Sequence, residues 1–198
     1  DAGMLYYCPQ IWCSDNTDAI ERLRIQYGTS FGYPMSSVSA HVSVCPNHQN
    51  HRVTPFKTRG ICAMQGTFGY ELDLSKMTEE KKMAGEQIAF FKEHGRLFQF
   101  GDYYRPTSPF ENRDYTVWEY AAQDGSEACM SVVYTDMYAN AASEIVKWKG
   151  LDPKKVYQMQ LDGEDAGNFS GAALMHAGIL LPLPEQNYDA FQIYLKAE

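Results

Sequence analysis

The sequence predicts two parts with different folds, a parallel α/β part in residues 1–95 and an antiparallel β part in residues 96–198. In the first part, short apolar runs alternate with helical patterns, as in parallel α/β proteins. In the second part, short runs of alternating polarity lie between Gly, Pro and Asp turns, as in an antiparallel sheet or sandwich. A few strand–helix units alone would leave a sheet edge or an apolar face uncovered. We therefore interpret the first part as the end of a larger α/β domain.

The first part is predicted to alternate strands with helices. The strands are Met4–Trp12, Ser39–Val44 and Phe68–Leu74, and the helices are Asp18–Tyr27, Thr54–Met64 and Thr78–His94. In the first helix, Ile20, Leu23 and Tyr27 share one face, and Gly28 is expected just beyond its C-terminus. The third helix has the strongest pattern, and Gly95 is expected to end it.

The second part is predicted to be rich in strands. They are Tyr115–Ala121, Ala128–Thr135, two runs within residues 144–161 that flank a turn at Gly150–Pro153, and Ala190–Ala197. Tyr157, Met159 and Leu161 share one face of a strand. Lys147–Gly150 also alternates as a strand, and Trp148 is expected to pack in that sheet.

Composition argues against several classes of function. The 198 residues carry a net charge of −8, whereas nucleic-acid binders present clustered Lys and Arg, so we expect no nucleic-acid partner. No apolar run approaches the roughly 20 residues of a membrane span, so we expect no membrane partner. Five irregularly spaced cysteines do not suggest a disulfide framework, which favours a reducing, cytoplasmic compartment. Because an apolar run follows Asp1 almost at once, we expect the chain to continue a longer sequence.

Two acidic residues precede the first helix, and one of them is a candidate for chemistry. Asp15 follows a predicted strand, in a βα loop, where α/β barrels form their active sites. Partly desolvated beside Trp12, its carboxyl group could hold a proton near neutral pH and donate it to a leaving oxygen. Asp is also a favoured N-cap residue, but Asp18 and Glu21 have the spacing of a capping box. Asp15 is therefore left for chemistry, with a purely structural role as the alternative.

A group of potential metal ligands follows the second predicted strand. Cys45, His48 and His51 are closely spaced, but zinc sites normally use a second pair of ligands further along, and none follows here. We interpret the segment as a polar loop on the same face as Asp15 and expect no metal and no other cofactor. His41, on the strand itself, is expected to be a buried histidine with satisfied hydrogen bonds rather than a base.

Aromatic residues of the second part allow two interpretations. Tyr103, Tyr104, Trp118 and Tyr120 could stack on sugar rings, or they could belong to the core, as aromatics at sheet spacing more often do. Their spacing alone does not decide between the two.

Four segments, in order, resemble one enzyme family. They are "DAGMLYYCPQIWCSDNTDAIERLRIQYGTS", "AHVSVCPNHQ", "RVTPFKTRGICAMQGTFGYELDL" and "LFQFGDYYR". Together they span Asp1 to Arg105 and resemble the C-terminal part of α-galactosidases of glycoside hydrolase family 36; the rest matches loosely, as a β-rich tail. The resemblance implies that residues 1–95 are the last strand–helix units of a (β/α)₈ TIM barrel, and residues 96–198 a C-terminal antiparallel β domain.

The resemblance also implies roles for the loop residues. Asp15 corresponds to the general acid/base of a W-x-S-D-x-x-D-A motif, with Trp12 and Cys13 beside it as substrate-binding residues; Cys13 stands where the pattern would have Thr. The nucleophile is the Asp of a Lys-Trp-Asp motif, but the only Lys-Trp here, Lys147-Trp148, is followed by Lys149. Retaining hydrolysis needs both carboxylates, so this piece alone is expected to be inactive.

The parent enzyme is expected to hydrolyse terminal α-galactosyl linkages of melibiose- and raffinose-type oligosaccharides, and the resemblance implies a homotetramer. The alternative is a non-catalytic carbohydrate-binding or structural β module from a truncated gene. An upstream reading frame with Lys-Trp-Asp would favour the enzyme, whereas a start codon next to Asp1 would favour the module.

Overall fold

The structure, a computed structural model, describes residues 2–77 and 79–198. The chain forms two compact units, one ending at Gln99 and the other beginning at Phe100. Across the described ranges, no helix combines the length and the apolar character that a membrane crossing requires.

The first unit is a parallel α/β structure, as predicted. Its helices are α1 (Ala19–Thr29), α2 (Phe56–Ala63), α3 (Glu80–Glu93) and α4 (Gly95–Phe100), with 3₁₀ turns at Ala2–Tyr6, Met35–Ser37 and Leu74–Lys76. Strands β1 (Val42–Ser43) and β2 (Tyr70–Glu71) pair in parallel. Isolated parallel bridges, Ile11 with Val38 and Ser39 with Thr67, extend the pattern. The parallel arrangement is confirmed, with shorter strands than the sequence predicts.

The first predicted strand is wrong. Within Met4–Trp12, Ile11 makes a β bridge, but Ala2–Tyr6 forms a 3₁₀ helix. Tyr6 and Tyr7 are 86% and 77% exposed. The prediction assumed that this apolar run is a buried strand, and the assumption is wrong.

Both predicted helix ends also differ. Gly28 has no positive φ and lies inside α1, which ends with Ser30 as its C-cap, so the left-handed glycine cap is not used. α3 ends at Glu93, and Gly95 opens α4 instead of ending α3. The predicted start of the third helix at Thr78 lies outside the described residues.

A buried arginine ties the strands of the first unit to its helices. Arg59 is 5% exposed. It donates from Nη1 to the main-chain oxygen of Ser43 (2.6 Å), from Nε to that of Thr54 (3.1 Å) and from Nη2 to Glu80 Oε1 (2.8 Å). These bonds hold the end of β1 against α2 and α3, and so fix the position at which the loop after β1 begins.

The second unit is built on an antiparallel sheet, as predicted. Its elements are β3 (Asp102–Tyr104), β4 (Tyr115–Ala121), β5 (Glu127–Tyr134), β6 (Ile145–Val146), β7 (Val156–Leu161), β8 (Glu164–Ser170), α5 (Gly171–His176), β9 (Ile179–Leu180) and β10 (Ala190–Ala197). The six-stranded sheet has the order β3-β4-β5-β10-β7-β8, and β6 pairs with β9. The strands predicted at Tyr115–Ala121 and Ala190–Ala197 are present with those bounds.

Trp148 is buried, but not in a strand. β6 ends at Val146, and the Trp148 main-chain N–H donates to the oxygen of Leu174 in α5 at 3.2 Å. Its side chain is fully buried. Core packing of Trp148 is therefore confirmed, and the strand predicted at Lys147–Gly150 is wrong because this segment contacts a helix instead of a neighbouring strand.

The aromatic residues of β4 belong to the core. Trp118 and Tyr120 are 1% and 2% exposed, and the Tyr103 ring centroid lies 5.1 Å from that of Tyr120. Buried rings cannot stack on a sugar, so the core interpretation of Trp118 and Tyr120 is confirmed.

β4 also buries a carboxyl group. Glu119 is fully buried, and its two carboxyl oxygens lie 3.1 Å from the main-chain N–H of Lys149, which donates to them. Burial raises the pKa of Glu119 from its ordinary value of 4.5 to about 8, against the lowering effect of that hydrogen bond and of the Lys149 charge. Between these two values the folded chain keeps a proton that the unfolded chain has released.

The free energy of unfolding of the wild type is expected to decrease between about pH 4.5 and 8, and Glu119→Gln is expected to remove this decrease. In the wild type, the contribution of protonated Glu119 to stability is fully present below its pKa in the unfolded chain. It is lost as pH rises through its pKa in the folded protein, because the unfolded chain binds fewer protons in this range. At about 1.4 kcal/mol for each pKa unit, the decrease is on the order of a few kcal/mol. Urea unfolding at pH 5 and pH 8 measures it, with exposed Glu164→Gln as the control; an equal decrease in Glu119→Gln would contradict the assignment.

Candidate active site

The segment 12–18 connects the parallel bridge at Ile11 to α1 and carries the predicted acid/base. Asp15 is exposed on this loop. Its Oδ1 accepts a hydrogen bond from Trp12 Nε1 at 3.1 Å, and its main-chain oxygen accepts one from Gln49 Nε2 at 2.9 Å. Within the described residues, Oδ2 has no hydrogen-bond partner. One carboxyl oxygen is therefore held by the loop, and the other is available.

Asp18 caps α1. Its side chain accepts from the main-chain N–H of Glu21 at 3.3 Å and forms an ion pair with Arg52. The predicted capping box is incomplete: the Asp18 N–H donates to Asn16 Oδ1 (2.9 Å), and the Glu21 carboxylate lies 3.7 Å from Arg52 Nη2. The N-cap prediction is confirmed, but the reciprocal bond, from the Asp18 N–H to the Glu21 carboxylate, is replaced by one to Asn16 because Arg52 attracts that carboxylate.

A buried arginine on α1 holds the loop on both sides of Asp15. Arg22 is 1% exposed. It donates from Nη1 to the main-chain oxygens of Ser14 (3.2 Å) and Asn16 (3.0 Å), from Nη2 to that of Ser39 (2.9 Å), and from Nε to Gln26 Oε1 (3.0 Å). Cys13 Sγ lies 3.5 Å from Nη2. The guanidinium thus fixes the loop through the Ser14 and Asn16 oxygens, while its bonds to Ser39 and Gln26 hold the guanidinium itself in place.

The loop at residues 45–51 supports the same segment. Gln49 Oε1 accepts from the Thr17 N–H at 2.8 Å and from Thr17 Oγ1 at 3.1 Å. Asn47 Nδ2 donates to Thr17 Oγ1 at 3.0 Å. With the bond from Gln49 to the Asp15 main chain, the two loops form one hydrogen-bonded unit, as expected for a polar loop on the same face.

The potential metal ligands of this loop point to no shared centre. His48 and His51 are exposed, and Cys45 is half-buried. Across residues 2–77 and 79–198, no three His, Cys, Asp or Glu side chains are grouped so that they could hold a metal ion.

His41 differs from the expectation of a satisfied core histidine. It is buried, and its ring stacks on Trp12 with 4.8 Å between centroids and 10° between planes. Nε2 lies 3.1 Å from Glu71 Oε2, but neither ring nitrogen meets hydrogen-bond geometry within the described residues. Burial first, and the positive charge of Arg22 second, lower the pKa of His41, whereas Glu71 raises it. The buried ring therefore contacts its surroundings by stacking and not by hydrogen bonds to the described residues.

Comparison with known proteins identifies the family. The melibiase family pattern matches residues 1–101, just over half of the chain. The chain belongs to the melibiase family. The pattern of the glycosyl hydrolase family 36 C-terminal domain matches residues 115–195. The resemblance of the four sequence segments is thereby confirmed.

Melibiase relatives match the whole chain but are much longer. The chain is 51% identical over 193 residues to the bifunctional α-galactosidase/sucrose kinase AgaSK of Mediterraneibacter gnavus, covering 97% of the chain and 20% of that relative. It is 48% identical over 198 residues to the α-galactosidase AgaA of Geobacillus stearothermophilus, covering 100% of the chain and 26% of the relative. The crystal structure of AgaA gives a TM-score of 0.94 and is covered to 27%. The chain thus spans about a quarter of AgaA.

Crystal structures of AgaA variants with bound sugars match equally well. A complex with raffinose and a complex with stachyose each give a TM-score of 0.94 over 100% of the chain, at 47% and 48% identity. These sugars are ligands of the relative, and they indicate the class of substrate to test.

The sequence patterns did not indicate the residues that position the loop. The predicted apolar face of α1 is only part of the buried face: Leu23 is buried, whereas Ile20 and Tyr27 are partly buried. The buried residues of α1 are Ala19, Arg22, Leu23 and Gln26. They have the i, i+3, i+4, i+7 spacing of a core face, and polar residues at two of these positions were the signal that could have found Arg22.

Proposed function

We propose that the chain is the C-terminal part of a retaining α-galactosidase that removes terminal α-galactosyl residues from melibiose- and raffinose-type oligosaccharides. Its 48% identity with AgaA over all 198 residues carries this proposal. The AgaA complexes with raffinose and stachyose support the substrate class.

In this enzyme Asp15 is the general acid/base. A nucleophilic carboxylate attacks the anomeric carbon while protonated Asp15 donates its proton to the leaving oxygen, forming a glycosyl-enzyme ester. The Asp15 carboxylate then takes a proton from the water that hydrolyses the ester. The free Oδ2 and the Trp12 N–H on Oδ1 suit this exchange. Trp12, which is 50% exposed, and Cys13 contact the substrate.

The nucleophile belongs to a segment outside these 198 residues, because they contain no Lys-Trp-Asp. Residues 1–95 complete a (β/α)₈ barrel, and residues 96–198 form the β domain that follows it. The enzyme assembles as a homotetramer and acts in the cytoplasm; five free thiols support a reducing compartment. Burial of Trp118 and Tyr120 gives no support to the alternative of a carbohydrate-binding β module.

The full-length protein is expected to release galactose from raffinose, with α-galactose as the first product anomer. Proton NMR during the first minutes distinguishes it from β-galactose, the product of inversion. The 198-residue piece, assayed in parallel, is expected to show no turnover. Release of β-galactose would contradict the retaining mechanism, lack of action on every α-galactoside would contradict the activity, and turnover by the piece would contradict the nucleophile's position.

A further inference from the structure

We propose that His41 is a positioning residue for the acid/base: stacked against Trp12, it keeps the indole N–H on one oxygen of Asp15, so that the other oxygen carries the catalytic proton. This inference rests on the proposed role of Asp15. It gives a function to a buried histidine that takes no part in the chemistry itself.

The stack joins a buried ring to an exposed one. Trp12 is 50% exposed, whereas His41 is 7% exposed. Their nearly parallel rings lie 4.8 Å apart, and the Arg22 guanidinium carbon lies 5.9 Å from the indole centroid. A half-exposed indole keeps one orientation only where its neighbours hold it, and the flat surface of His41 provides that support.

The orientation of the indole decides where the proton resides. An indole N–H can donate but cannot accept a hydrogen bond. The carbonyl oxygen of a protonated carboxyl group is its better acceptor, so an N–H donor 3.1 Å from Oδ1 favours a proton on Oδ2. Without the N–H, the proton is shared between both oxygens and the carboxyl group is free to turn. A displacement of about 1 Å can cost about 100-fold in rate.

The surroundings of His41 fit a role for the neutral ring. Arg22 on α1 and Glu71 on β2 are the charged groups that act on it, and Glu71 Oε2 is 3.1 Å from Nε2. Burial and the charge of Arg22 lower the pKa of His41. The uncharged imidazole is favoured because a protonated His41 would be a second buried cation beside Arg22. Because neither nitrogen meets hydrogen-bond geometry in the described part of the chain, the flat ring itself is the feature that this site uses.

The test measures how activity depends on the leaving group in the full-length enzyme. His41→Ala is expected to lower kcat on raffinose by about 10- to 100-fold, with KM little changed. Trp12→Phe is expected to lower kcat to a similar extent and, because Trp12 also contacts the substrate in the proposed site, to change KM as well. In His41→Ala, the first step on a dinitrophenyl α-galactoside, measured as the burst of dinitrophenolate, should change little, because that leaving group needs no proton. His41→Phe, which keeps a flat ring, is expected to recover most of the activity on raffinose.

Controls separate this inference from a loss of folding and from the proposed function. His94→Ala removes another buried histidine and should not change the ratio of the two activities. If His41→Ala slows kcat on raffinose and the dinitrophenolate burst equally, the positioning role is wrong. If His41→Ala fails to fold, the comparison of His41→Leu, which lacks a flat ring, with His41→Phe, which keeps one, decides the question. If activity depends on the leaving group in Asp15→Ala but not in the His41 and Trp12 variants, only the positioning inference fails. If activity does not depend on the leaving group in Asp15→Ala, the proposed function fails.

Discussion

Replacing Asp15 with alanine in the full-length enzyme is expected to lower kcat on raffinose by about 10²- to 10⁴-fold, the usual contribution of general acid–base catalysis. In the proposed mechanism, the sugar alkoxide that leaves raffinose takes its proton from Asp15. A dinitrophenolate leaves without one, so formation of the glycosyl-enzyme from an activated aryl galactoside should stay fast. The second step, which needs a base to activate water, should then limit the rate.

Azide distinguishes this mechanism from a simple loss of structure. The small anion fits the space vacated by the Asp15 side chain and attacks the glycosyl-enzyme without a base. We expect azide to accelerate Asp15→Ala on the activated substrate and to yield α-galactosyl azide, detectable by mass spectrometry.

Asp18→Asn is the matched control, because asparagine is also a favoured N-cap residue and Asp18 caps α1. It should show neither leaving-group dependence nor azide rescue. An Asp15→Ala enzyme that hydrolysed raffinose at the wild-type rate would show that another group supplies the proton.

Arg22→Lys is expected to destabilise the protein by roughly 2–4 kcal/mol, although it conserves the charge. Arg22 donates to three main-chain oxygens around the Asp15 loop and to Gln26. Lysine has one nitrogen and cannot reach these separated acceptors together, and each buried group left without a partner costs about 1–3 kcal/mol. Denaturant unfolding measures the loss, and kcat on raffinose should fall with it because Ser14 and Asn16 flank Asp15.

Arg24→Lys provides the comparison on the same helix. Arg24 is exposed, and a surface substitution of this kind usually changes stability by less than about 0.5 kcal/mol. If Arg22→Lys unfolded at the same denaturant concentration as Arg24→Lys, the buried fork would not hold the loop.

The sequence pattern correctly predicted those elements whose burial in the fold is of the kind that the pattern assumes. β4 and β10 have the predicted bounds because each run of apolar and aromatic residues pairs with a neighbouring strand on both sides in the six-stranded sheet. The Met4–Trp12 strand failed because an apolar run does not reveal whether its side chains are buried. The pattern found only part of the buried face of α1, because two buried positions hold Arg22 and Gln26, which a hydrophobic pattern counts as exposed.

The sequence by itself determined the family, the two-part fold class, and the distinction between Asp18 as a helix cap and Asp15 as the candidate acid/base. Each depends on residues close together in the chain, where spacing and motif carry the information. Only the tertiary structure decided which groups hold Asp15 in place. Gln49 reaches its main-chain oxygen from 34 residues away, and His41 meets Trp12 across neighbouring parallel segments. Such contacts arise from the folded backbone, and a hydrogen bond or ring stack between distant residues leaves no periodic trace in the sequence.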